Sequence, residues 1–143
     1  MAEGIMKKRL LFKKIKNVEL SSAGIMAVDG NSAAELAVKV AEEGGVDISE
    51  HRARLIDEEM IEKADMILIM DSEQKEAILK QFSEAGKKLF FLGKFYEEGN
   101  EEISDPYGQS VFQYRLCFNE LSMAISGLFD FFAKSSKTHT GKS

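Results

Sequence analysis

Asp105 stands directly before Pro106, the only proline in 143 residues, and Tyr107 follows it. Proline fixes its own φ and restrains the residue before it, so a carboxyl group here is held in one direction. Such a turn could hold a carboxyl group rigidly over a substrate. The competing reading is plain chain reversal, because Asp before Pro is also a common turn former. The one thiol, Cys117, falls on a helical face with Tyr114, Phe118, Leu121, Ile125, Leu128 and Phe132. A cysteine in apolar surroundings keeps its proton and is inert. Two histidines and one cysteine, far apart, give no metal-ligand spacing, and no cofactor is expected. The closing "GKS" lacks the glycine that a nucleotide-binding loop needs, since position 136 is Ser136.

Alternating strands and helices must position these groups. Residues 2–15 read as a helix with Ile5, Met6, Phe12 and Ile15 on one stripe, its lysines forming a solvated face. Residues 17–22 read as a short strand ending at "SSAG". Ser32, with Glu35 three positions on, signals a capping box for a helix that stops at Gly44-Gly45. Residues 46–56 are irregular or extended, and a short helix begins near 57. Met66 to Met70 form an apolar run suited to a strand covered on both faces. Asp71 with Gln74 caps a helix over 72–82, which makes Asp71 a cap before it is a catalytic group. A further strand is expected over 88–92 and a long helix over 110–133. The pattern predicts an α/β domain over 1–134, with helices on both faces of a parallel sheet, and a polar tail over 135–143. Ligands of such folds bind beyond the carboxyl ends of the strands. Ser22, Asp71 and the Asp105 loop all follow strands at that end.

Composition narrows the function. A 44% hydrophobic and 30% charged chain is an ordinary globular one. Its net charge of -5 argues against nucleic acid as a partner. A single cysteine fits a reducing cytoplasm, and no apolar run is expected to cross a membrane.

In their order and separation, several strings resemble the low-molecular-weight protein tyrosine phosphatase family. "MAEGIMKK" is similar to the start of its first helix and "VELSSAG" to its second strand. "DISEHRAR" and "ADMILIMDSEQKEAIL" follow its middle section, and "DPYGQSVFQYR" resembles the loop and helix that carry its general acid. The resemblance implies a three-layer αβα fold and hydrolysis of a phosphorylated protein or peptide through a phosphocysteine. It makes Asp105 the general acid and places Tyr107 at the pocket mouth. Ser22 and His51 match positions that brace the phosphate loop, although His51 also reads as a surface histidine and Ser22 as a strand-end turn. Tyrosine-specific members often carry two aromatics after Asp-Pro. Here Gly108 follows Tyr107, which is nearer the arginine-phosphatase branch. The related arsenate reductases need further cysteines, which this chain lacks before Asp105.

The same resemblance implies a first strand and a Cys-to-Arg phosphate loop just before the segment similar to "MAEGI". Neither is in these 143 residues: the only cysteine is Cys117, and the residue six positions later is Met123. The expectation is therefore an incomplete sheet whose first and central strand is absent. The unpaired strand edges would be unstable, rearranged, or completed by another segment, including strand exchange between copies in a homo-oligomer. The alternatives are an upstream continuation of the protein and a truncated, non-catalytic binding module.

Overall fold

The computed structural model describes residues 1–138. Five α-helices, α1 (Ala2–Phe12), α2 (Glu35–Glu43), α3 (Glu58–Lys63), α4 (Ser72–Gln81) and α5 (Val111–Thr138), accompany strands β1 (Ile67–Ile69) and β2 (Leu89–Phe91) among these residues. β1 and β2 pair in parallel, with Leu68 opposite Phe90.

The run around β1 alternates between two apolar clusters, as a strand must. Met66, Leu68 and Met70 pack against a cluster formed by α1, α2 and α5, including Ile5, Ala41, Leu121, Ile125 and Leu128. Ile67 and Ile69 belong to the other side, with Ile61 of α3 and Ile78 of α4. Helices thus cover both faces of a small parallel sheet, and the expected α/β class holds.

Local signals account for several boundaries. Asp57 and Asp71 cap α3 and α4, their carboxylates accepting from Met60 N and Gln74 N at 2.8 Å each. The Gln74 side chain returns a bond by accepting from Met70 N at 2.7 Å, which locks strand exit to helix entry. Helix α2 ends at the expected glycines. Gly45 adopts φ +79°, and Val46 N donates to Ala41 O at 2.8 Å.

Five expectations change. α1 stops at Phe12 rather than 15, because Lys14 takes φ +58° and Ile15 N closes back on Leu10 O at 2.9 Å. This is the same helix-stop geometry as at Gly45, here with no glycine to announce it. Ser32 caps nothing: its backbone bridges to Arg52, and α2 begins after Ala34 with no side-chain cap. Residues 17–22 form no strand, and residues 16–23 make no backbone hydrogen bond among the described residues. α5 runs to Thr138, into the segment expected as tail; residues 139–143 lie outside the described residues. Over Val111–Lys134, α5 also reaches the length and mean hydropathy (1.3) of a membrane-crossing helix, contrary to the composition-based expectation. Its Leu121, Ala124, Ile125 and Leu128 are nevertheless the centre of the larger core.

Candidate active site

The Asp105 loop is fastened to the carboxyl end of β1. Ile103 N donates to Met70 O at 2.9 Å, and Ser72 N donates to the Glu102 carboxylate at 2.8 Å. Ile103 and Pro106 are buried, whereas Asp105 and Tyr107 are exposed. Asp105 Oδ1 accepts from Tyr107 N at 3.0 Å, which fixes the carboxylate by its own turn. Gln109 N closes on Pro106 O at 2.9 Å, with Gly108 at φ +80° supplying the left-handed position that this turn requires. Ser110 then opens α5, its Oγ accepting from Gln113 N at 3.4 Å.

The negative charge of Asp105 reaches three groups at this rim. Burial raises the Tyr114 phenol, and Asp105 adds to the shift. Burial also pushes the Cys117 thiol up to about 11, with Glu120 and Asp105 contributing and the Met1 amine opposing. That amine is itself lowered by burial, against the attraction of Cys117, Glu3 and Asp105. Cys117 is therefore a protonated core residue, as its helical face suggested.

Ser22 and His51 lie together in a separate polar depression of about 270 Å³, shared with Glu3, Lys7, Leu20, Arg52 and Arg54. Ser22 Oγ donates to Glu3 Oε1, and Lys7 pairs with the same carboxylate at 2.5 Å. Burial works to raise Glu3, but the hydrogen bonds from Lys7 and Ser22 and the charges of Lys7 and His51 hold it below its ordinary value. Neither Asp105 nor Tyr107 lines this depression. The first turn of α1 connects the two groups: Glu3 binds Ser22, and the Met1 amine feels Asp105. A second depression, about 240 Å³ beneath Tyr96, Leu116 and Glu120, holds none of the candidate residues. Glu3 was missed from sequence, where its only signal was the i, i+4 spacing to Lys7.

Residues 1–138 match the family model for low molecular weight phosphotyrosine protein phosphatase. The chain belongs to that family. It is 34% identical over 116 residues to a protein-arginine-phosphatase of Geobacillus stearothermophilus, covering 81% of this chain and 78% of the relative. It is 37% identical over 106 residues to a probable low molecular weight protein-tyrosine-phosphatase, EpsP, of Ralstonia nicotianae, covering 74% and 71%. The fold is similar to the YwlE arginine phosphatase from Geobacillus stearothermophilus, with TM-score 0.86, 30% identity, and coverage of 99% of this chain and 89% of that one. A low molecular weight protein tyrosine phosphatase from T. tengcongensis gives TM-score 0.81 at 36% identity, covering 90% and 87%. Within this phosphatase family member, backbone hydrogen bonds at Ile103 and Gln109 hold the Asp-Pro loop on either side of Asp105.

Proposed function

We propose that this chain carries the proton-transfer half of a protein phosphatase site, with Asp105 as general acid and then general base. A cysteine thiolate from outside these 143 residues attacks the phosphorus. The bond to the leaving group breaks, and the Asp105 carboxyl group gives its proton to the departing atom. The resulting carboxylate takes a proton from water as that water attacks the phosphorus–sulfur bond, releasing phosphate and thiolate. The observation that carries this reading is the fixed carboxylate of Asp105 on the rim where β1 ends. Ser22 and His51, gathered around the first turn of α1, support a bracing role beside it.

On this reading neither the nucleophile nor the phosphate-binding arginine is supplied by the 143 residues. Cys117 is buried with its pKa near 11, and Met123 stands where a Cys-to-Arg loop starting there would need its arginine. On this reading the chain by itself hydrolyses p-nitrophenyl phosphate no faster than buffer. A clear rate that disappears in Cys117→Ser would overturn it. The same buried thiol favours a second reading, a non-catalytic binding module, which predicts that restoring a strand and a Cys-x5-Arg loop yields no turnover.

Phosphoarginine is the favoured substrate, because Tyr107 is followed by Gly108 and no second aromatic narrows the pocket mouth. Phosphotyrosine is the competitor. Matched phosphopeptides given to the completed enzyme separate them, and a higher kcat/KM for phosphotyrosine would reverse the assignment. A thiol nucleophile and a single core cysteine suit a reducing cytoplasm.

A further inference from the structure

The depression of about 240 Å³ between α5 and residues 93–103 lies apart from the candidate site, and neither Asp105 nor Tyr107 lines it. Its floor is apolar. Ile103 and Ala124 are buried, and Tyr96 packs on the larger core cluster. A Cβ at Gly99 would come within 2.5 Å of the Tyr96 ring, so that ring rests directly on the glycine. Leu116, 48% exposed, forms one lip, and Phe112 and Met123 continue an exposed apolar stripe along the same helix. One charged group enters this wall. Glu120 is half-buried, and among the described residues it forms no hydrogen bond or ion pair. The cations next to the lining residues Leu116 and Gly93 are engaged elsewhere: Arg115 makes two bonds to Glu43 at 2.9 Å, and Lys94 stands 3.9 Å from Glu101. Glu97 and Glu98, exposed on the adjoining loop, add negative charge to the rim.

We propose that this hollow is a docking site for an arginine side chain presented by a segment of a partner protein. Pockets that enclose whole small molecules begin near about 300 Å³, so a single long side chain is the better fit here. Arginine buries its methylene stem on apolar surface and keeps its head polar. The stem packs on Ile103, Leu116 and Ala124. The guanidinium meets the Glu120 carboxylate in a two-point pair, with the Tyr96 ring beside it. Lysine is a point charge and uses neither geometry as well. Aliphatic residues on either side of the arginine match the stripe of Phe112 and Met123. Charge complementarity favours this occupant: the site offers a carboxylate that has no partner, so no existing ion pair is broken on binding. Docking brings the partner beside the Asp105 loop, because Ile103 in the wall also fastens that loop to Met70 O. The binding itself does not rest on the proposed function.

The test follows the amide NMR shifts of the isotopically labelled 143-residue chain during titration with peptides blocked at both ends. Ser-Leu-Arg-Leu-Ser is the probe. The control replaces arginine by citrulline, which keeps its shape without its charge. The arginine peptide should produce saturable shifts at Gly99, Leu116 and Glu120, and citrulline should weaken binding at least about tenfold. In Glu120→Gln, a change at a half-exposed position that leaves the spectrum of the fold in place, the two peptides should bind alike. An arginine peptide that shifts none of these amides up to about 10 mM overturns the proposal. Equal affinity of the two peptides for the parent chain also overturns it. So does agmatine binding as tightly as the peptide, because the ligand would then be a free small cation. A chain whose Glu120 amide shifts on dilution without peptide would make a second copy the occupant, and that result overturns the proposal too.

Discussion

Gly93 controls where the acid loop sits. It is buried in the 3₁₀ turn Leu92–Phe95, and a Cβ built there would overlap the carbonyl oxygens of Asn100 and Glu101. Those atoms are backbone, so no side-chain rotation relieves the clash. In Gly93→Ala the segment must retreat by on the order of 1 Å to reach ordinary contact distance. Overpacking of this kind costs about 1–3 kcal/mol. The retreat also pulls on Ile103, whose N–H holds the loop to Met70 O at 2.9 Å. Losing that bond adds about 1 kcal/mol. The total of about 2–4 kcal/mol lowers the melting temperature by roughly 10 °C in a domain of this size. Circular dichroism melting and amide exchange at Ile103 measure the two parts separately. A melting temperature within 2 °C of the parent, with Ile103 still protected, would refute the claim that this glycine sets the loop.

Three further outcomes are expected. Cys117, raised from 9.0 to about 11, should carry roughly a hundredfold less thiolate at pH 8 than an ordinary thiol; labelling by a thiol reagent should be slow until urea unfolds the chain, and fast labelling of the native state would contradict the buried placement. Glu3 is held below its ordinary value of 4.5, so its contribution is complete above that pH and lost as pH falls through its lower folded value; Glu3→Gln should be less stable than the parent at pH 7 and equal to it once Glu3 is protonated, and a gap unchanged down the acid limb would rule out the ion pair as its cause. Asp71→Ala removes the α4 cap and should cost about 1 kcal/mol in urea unfolding; no loss would mean that Gln74 alone holds the strand exit.

The boundaries legible in sequence were those that a side chain or a glycine fixes. Asp57, Asp71 and Gln74 act as caps, and Gly44-Gly45 end α2. The apolar face of α5 was legible as well, because burial selects it every third or fourth residue. Strand 17–22 was not, since a strand exists only with a neighbour to bond, and propensity contains no information on whether that neighbour is present. Lys14 ended α1 in a conformation that favours glycine, so nothing in the residue type announced it. At the site, Asp105 was legible because proline and aspartate together determine a turn, and the structure bears out the turn itself. Glu3 was hidden because its partner Ser22 is distant in sequence. The grouping of Ser22 with His51 came from family resemblance, and no local pattern around either residue points to the other.

The most direct measurement is the turnover of these 143 residues preceded by an apolar strand and a Cys-x5-Arg loop, compared with its Asp105→Asn variant. The amide keeps the size of the carboxyl group but cannot donate its proton. The account predicts a fall in kcat of about 10²–10⁴ on a poor leaving group, and a smaller fall on p-nitrophenyl phosphate, whose leaving group needs less protonation. Equal turnover by the two proteins on both substrates would contradict it and remove Asp105 from the chemistry.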